Sequence, residues 1–296
     1  MRKLVWGVAA LAVIGVAAGW ILTAPSLRHS EAVAGLTGDA IQGETVFWAT
    51  GCASCHMVPG AAGDAQLVLA GGMAFPTAFG TFHAPNISTD ATYGIGGWTP
   101  MELAGAVMDG VSPLGTHYYP ALPYNAYNKM APQDMADLAA YLSGLPADAA
   151  PSKPHDVNFP YNIRRSLGVW KVLFVRDDWA LAQAPTPEVV RGRYIAEALA
   201  HCGECHTPRN AMGGLDRTRW LAGAVSADGK SRVPNITPGK LTWSEAEIVE
   251  YLTSGFTPEY DSVGGHMANV VANMTHLPEA DRAAVAAYLK AVPAVP

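Results

Sequence analysis

The pentapeptide Cys-x-x-Cys-His occurs twice, as Cys52-Ala53-Ser54-Cys55-His56 and Cys202-Gly203-Glu204-Cys205-His206, and together the two copies use all 4 cysteines of the chain. On a helical turn, positions i, i+3 and i+4 share one face. Two thiols at that spacing can form thioethers with the two vinyl groups of a haem, while the next imidazole reaches the iron from the same side. Other uses of the cysteines account for less. Disulfides would not ask for a histidine after each pair, and stapling is not typical of a chain this long. A zinc site built from the four thiols would not need the two histidines either. A thioredoxin-like redox pair belongs in a βαβ setting, of which the sequence shows no sign. The expectation is two covalently bound haems c, held by Cys52, Cys55, Cys202 and Cys205, with His56 and His206 as iron ligands.

The 296 residues suggest about two domains. Half the residues are hydrophobic and only 15% are charged, and part of that apolar content is concentrated at the N-terminus. Leu4 to Leu22 is uncharged and follows Arg2 and Lys3. As a helix it spans roughly 28 Å, close to the hydrocarbon thickness of a bilayer. The leading charges place the N-terminus in the cytoplasm and the body outside. A cleaved signal peptide is the competing reading. The apolar run is longer than an ordinary signal core, and Thr23-Ala24 is followed by Pro25 rather than by a clean cleavage site, so an uncleaved anchor is preferred. The net charge of −6 argues against a nucleic-acid partner.

The segments after the two motifs repeat each other. Leu69-Ala70-Gly71, Pro85-Asn86-Ile87, Trp98 and Tyr141-Leu142 answer to Leu221-Ala222-Gly223, Pro234-Asn235-Ile236, Trp243 and Tyr288-Leu289. Two tandem domains of like fold follow, with one haem each. The pattern reads as all-α, helix and loop without convincing strands. A helix is expected to carry each motif at its end. A middle helix should start at Thr99-Pro100-Met101-Glu102 and at Ser244-Glu245-Ala246-Glu247, both capping-box sequences. The last helices should start at Pro132 and Pro278 and bury Leu138, Tyr141 and Leu142, or Val285, Tyr288 and Leu289. The boundaries read as an anchor over 1–30, domains over 31–145 and 188–296, and a proline-punctuated connection over 146–187. Within that connection, Leu167 to Val175 is strongly apolar, with Arg164, Arg165, Lys171 and Arg176 around it. It reads as a short helix packed between the domains; the sharper alternative is an apolar, basic contact with the bilayer or a partner subunit.

Several stretches resemble the membrane-anchored dihaem cytochromes c related to the cytochrome subunits of periplasmic alcohol, gluconate and aldehyde dehydrogenases. They include residues 84–88 (APNIS), 94–98 (GIGGW), 109–113 (DGVSP), 201–210 (HCGECHTPRN) and 213–216 (GGLD). The resemblance implies two class I cytochrome c domains behind a transmembrane helix. It implies a backbone carbonyl at Pro85 and Pro234 behind each proximal histidine, although Pro-Asn-Ile could also be only a turn. It also implies a distal methionine for each haem. Met130, at the end of Tyr124-Asn125-Ala126-Tyr127-Asn128-Lys129-Met130, is the first choice in the first copy, with His117 as its rival. Met267, in Gly264-Gly265-His266-Met267, is the choice in the second, against His266 and Met274. His29, His83, His155, His201 and His276 are expected to be hydrogen-bonding or surface groups.

Two departures stand out. The third Cys-x-x-Cys-His of three-haem relatives is missing, and Leu122 stands where some relatives have a methionine before Pro-Tyr. The implied function is single-electron transfer on the outer side of the bacterial inner membrane. The implied partners are a periplasmic dehydrogenase subunit on one side and quinone, another cytochrome or a respiratory oxidase on the other. The alternative is a haem enzyme, such as a dihaem peroxidase or a thiosulfate-oxidising cytochrome, with one displaceable distal ligand.

Overall fold

The computed structural model describes residues 2–296. Helix α1 (Arg2–Leu22) has none of its residues buried. Helix α2 (Ala40–Thr50) begins where the Asp39 carboxylate accepts from the Ile41 amide, and stops at Gly51. Gly51 takes φ 67°, a left-handed conformation open to glycine at little steric cost. The first motif therefore forms a separate short turn, α3 (Cys52–His56), rather than the end of α2 as expected from the sequence.

The capping-box expectations hold. Thr99 and Glu102 cap α4 (Pro100–Asp109) reciprocally. A short turn α5 (Tyr124–Tyr127) leads to α6 (Pro132–Leu142), which has proline in its first turn. Helix α7 (Leu167–Phe174) follows the intervening stretch.

The same order recurs beyond residue 186. Helix α8 (Pro187–Tyr194) is capped by the Thr186 hydroxyl. It runs into one π-helical turn (Ile195–Leu199) before the second motif turn, α9 (Gly203–His206). Ser244 and Glu247 form the second capping box, on α10 (Glu245–Ser254). Helices α11 (His266–Met274) and α12 (Glu279–Ala291) complete the chain. Pro278 is the N-cap of α12 rather than its first residue.

Two helix crossings organise the core: α2 packs on α6, and α8 packs on α12. Each crossing is made at a glycine. A Cβ on Gly43 would lie 2.0 Å from the Asp137 carbonyl oxygen, and one on Gly192 would lie 1.8 Å from that of Ala284. Both glycines also sit under a tyrosine, Tyr141 in one case and Tyr288 in the other. From glycine to first cysteine is 9 residues in the first copy and 10 in the second. The extra residue is taken up by the π turn, which inserts one residue without ending the helix. Phe47, Leu138, Ile195 and Tyr288 are among the fully buried side chains of the shared core.

The all-α expectation needs correction, because the fold is mostly helical but carries two small antiparallel sheets. Strands β1 (Ala74–Thr77), β2 (Gly80–His83) and β3 (Asp156–Val157) form one, and β4 (Ala224–Val225) with β5 (Arg232–Val233) the other. These ladders are two to four residues long, too short for an alternating apolar pattern to register. The 146–187 stretch is more than extended connection. It supplies β3 to the first sheet and lays the Asp148 and Ala150 carbonyls against Asn86. Helix α7 does pack between the two halves, as the preferred sequence reading had it, with Lys171 Nζ donating to the Asp109 and Gly110 carbonyls and Trp170 Nε1 to the Met212 carbonyl, but its other side is open. Only Leu167 and Gly168 are buried, while Val169, Val172 and Leu173 are exposed.

Alanine normally improves a helix over glycine by about 1 kcal/mol. At these crossings the sign should reverse. Gly43→Ala and Gly192→Ala are each expected to destabilise the protein by about 1–3 kcal/mol through overpacking, read as a lower midpoint in denaturant unfolding.

Candidate haem-binding sites

Each motif histidine is fixed from two sides. His56 Nδ1 donates to the Pro85 carbonyl and His206 Nδ1 to the Pro234 carbonyl, both at 2.8 Å. A carbonyl oxygen can only accept, so each Nδ1 carries the proton and each Nε2 keeps its lone pair. The main-chain oxygens of the same residues accept from Gly71 N–H (2.7 Å) and Gly223 N–H (2.8 Å). Both glycines have positive φ, 72° and 82°. A Cβ on Gly71 would come within 2.5 Å of the Pro85 carbonyl, so the Leu-Ala-Gly tripeptide allows this loop to close beneath the histidine.

The Pro-Asn-Ile segments are more than turns. The Asn86 amide donates to the Asp148 and Ala150 carbonyls (2.7 and 2.8 Å), and its oxygen accepts from the Ser88 amide (2.8 Å). Asn235 does the same work with Val295 O (3.0 Å) and Thr237 N (2.8 Å). These clamps were not anticipated from the sequence, although the identical tripeptide in both copies was their signal.

The titration behaviour of the motif groups follows from burial. It holds the His56 and His206 imidazoles below their usual range, against the opposing pull of the carbonyl bonds, and so keeps them neutral. It pushes the Cys52 thiol up to about 11 and those of Cys55 and Cys202 up to about 12. All four cysteines are free of disulfides. Neutral imidazoles with a free Nε2, each beside two unpaired thiols, are the donor set a covalently attached haem requires, so the residues present fit that group.

The other residues singled out in the sequence fall as follows. Met130 is 2% exposed, on the bend between α5 and α6. Met267 lies in the first turn of α11, partly buried against the core, rather than on the loop before it; Met274 closes the same helix and is buried. His117 is engaged elsewhere, with Nε2 3.0 Å from the Thr23 carbonyl at the end of α1. His29 bonds Asp109 at 2.8 Å, and His155 Nδ1 accepts from the His83 amide.

The two halves pack against each other around the motifs, which the sequence did not foretell. Asn273 of α11 donates to the Ser54 hydroxyl inside the first motif (2.8 Å). His276 stacks flat on Trp48, with ring centroids 3.8 Å apart. The Tyr194 hydroxyl accepts from the Ala131 amide, next to Met130, at 3.0 Å. His201 holds the place that Gly51 holds in the first copy, immediately before the first cysteine. It accepts φ 43°, uncommon for a side-chain-bearing residue, and meets the Tyr127 ring edge-on at 5.6 Å. Tyr127 in turn donates to the Thr50 carbonyl at 2.9 Å. The Cys205 thiol is near enough to add to the upward shift of Cys55.

Comparison with known proteins agrees with this geometry. The Cytochrome c family model matches residues 40–146. A protein of Cereibacter sphaeroides named diheme cytochrome c-type is 53% identical over 295 residues, covering 100% of both chains. The chain belongs to the cytochrome c family. This cytochrome is also 36% identical to the fructose dehydrogenase cytochrome subunit of Gluconobacter japonicus, over 86% of its own length and 52% of that subunit. It is 32% identical to the gluconate 2-dehydrogenase cytochrome c subunit of Pantoea cypripedii, over 85% of its length and 59% of that protein. The cytochrome thus spans little more than half of those dehydrogenase subunits.

Removing the Asn86 amide would strand two carbonyls and the Ser88 amide. Asn86→Ala is expected to cost about 1–3 kcal/mol in chemical denaturation. Asn235→Ala, with one carbonyl partner, should cost less.

Proposed function

We propose that this protein is a membrane-anchored dihaem cytochrome c. In this reading it takes single electrons from a periplasmic dehydrogenase subunit, or another donor on the quinol side. It passes them to quinone, another cytochrome or a terminal oxidase. One haem belongs to a module over 31–145 and the other to a module over 188–296. Residues 1–30 hold both at the outer face of the inner membrane. The observation that carries the reading is the duplicated imidazole–carbonyl pair beneath a duplicated thiol pair.

A haem c bound at each motif supplies a one-electron couple at its iron. The chain does the rest. Cys52 and Cys55, with Cys202 and Cys205, provide the thioether attachments. His56 and His206 present Nε2 from a ring whose tautomer the Pro85 and Pro234 carbonyls fix. Met130 and Met267 would supply the second protein ligand to each iron. A methionine at both sites leaves no open position for a substrate, which favours electron transfer over the chemistry of a dihaem peroxidase or thiosulfate-oxidising cytochrome. The preference for Met130 over His117 gains support from the hydrogen bond that engages His117 near α1. The packing of the two halves around the motifs favours transfer between the two sites within one chain. The named relatives favour a dehydrogenase as donor. The exposed apolar α1, which opens on Arg2 and Lys3, favours an anchor.

Met130→Ala and Met267→Ala should each lower one midpoint potential by roughly 100 mV or more, within the ~0.8 V range that axial ligands command. Covalent attachment should survive in both, as read by haem-stained denaturing gels beside a spectroelectrochemical titration. Two unchanged potentials in either variant would remove that methionine from the assignment. Rapid binding of cyanide or CO by the unaltered protein would favour the enzyme reading instead.

A further inference from the structure

The outer end of α1 is not free of the body. The Arg165 guanidinium donates to the Trp20 and Thr23 carbonyls and lies 4.4 Å over the Trp20 ring. His117 Nε2 also meets the Thr23 carbonyl, and a Cβ on Gly168 would lie 2.1 Å from that oxygen. The first turn of α7 is thus seated on the last turn of α1. At 1.5 Å per residue, the 21 residues of α1 run about 31 Å, the thickness of the hydrocarbon layer. Trp20 and Thr23 then mark the level of the outer headgroups.

Within α7, Val169, Val172 and Leu173 share one face, at i, i+3 and i+4. That face is open. Val169 is 48%, Val172 58% and Leu173 43% exposed, and the chain entering α7 adds Phe159 (77%) and Ile163 (47%). The opposite side of α7 is committed to the body. Leu167 is buried, and Lys171 Nζ donates to the Asp109 and Gly110 carbonyls, both at 2.7 Å. Such a continuous apolar stripe needs a cover. Arg165, in the turn that leads into α7, lies on the anchor's outer end.

We propose that α7 is an interfacial helix. Its Val169–Val172–Leu173 stripe, with Phe159 and Ile163, lies in the acyl–headgroup boundary of the bilayer that α1 crosses, and so fixes the height and tilt of the body above the membrane. The occupant is the lipid surface itself. The four charged residues around α7 do not require anionic headgroups, because their side chains already bond within the chain. The inference rests on the reading of α1 as an uncleaved anchor.

The test uses the full-length protein with its haems attached, in phosphatidylcholine nanodiscs that contain a lipid with a diazirine in its acyl chain. After illumination, labelled peptides are mapped by mass spectrometry. Labelling is expected in α1 and in the peptide bearing residues 167–174. Val172→Asp, at an exposed position, is expected to abolish labelling of α7 while that of α1 and the haem spectrum stay unchanged. Labelling of α1 alone in the unaltered protein overturns the interfacial helix and leaves the anchor standing. A mature chain that begins after residue 22 overturns the anchor, separately from α7. Labelling of α7 that Val172→Asp does not diminish assigns the lipid contact to another surface and overturns the stripe.

Discussion

The hydrogen bond from each motif imidazole to a proline carbonyl constrains everything around it. A ring that donates through Nδ1 presents its Nε2 lone pair in one direction only. For that to happen twice, a loop of the same shape must pass beneath each motif. The rest of each half can be understood as support for that loop. A glycine with positive φ lets it approach the histidine, and an asparagine ties its far side to a distant backbone segment. The segments so recruited are equivalent. The first copy uses the chain just beyond α6, through Asp148 and Ala150, and the second the chain just beyond α12, through Val295. One local requirement is thus met by the same long-range arrangement in both copies, as expected of a duplicated module.

Much of this was legible in the sequence because it depends on short spacings. The motif turns, the two capping boxes and the prolines that open the last helices are local signals, and the structure shows each within a residue or so of its expected place. The Pro85 and Pro234 carbonyls were reached through resemblance, and the geometry bears them out. What stayed hidden depends on distance in the chain. The Trp48–His276 stack joins residues 228 positions apart in numbering, and neither ring belongs to a pattern that marks the other. The small sheets carry too few residues for a two-residue period to emerge. The apolar run of α7 did register, but composition cannot say which face of a helix is covered.

The position before the first cysteine shows how local and long-range demands compete. In the first copy, Gly51 adopts the left-handed conformation at little steric cost and lets α2 turn into the motif. In the second copy the same place is held by His201, which a glycine-based pattern would not have marked. Its ring is half-buried and meets Tyr127 of the other half edge-on, and desolvation there holds its pKa down, so it stays neutral. The strained backbone is tolerated because the neighbouring structure determines it from both sides. The π turn just upstream belongs to the same solution, since it absorbs the additional residue between the Gly192 crossing and Cys202.

The consequence is that the two halves are not beads on a flexible string. Ser54 within one motif is bonded to Asn273 of the other half, and Ala131 beside Met130 is bonded to Tyr194 just ahead of the second motif. A hinge between the halves would have to break these bonds and expose the Trp48 and Tyr127 faces together, disrupting a packed interior. On the reading proposed above, the distance between the two redox centres is therefore set by the fold and does not fluctuate with a linker. Single-electron transfer gains from such rigidity, because fixed, largely dehydrated surroundings have little polar reorganisation to undergo when charge moves. The freedom such a carrier needs lies instead at its outer surfaces, where donor and acceptor must arrive and leave.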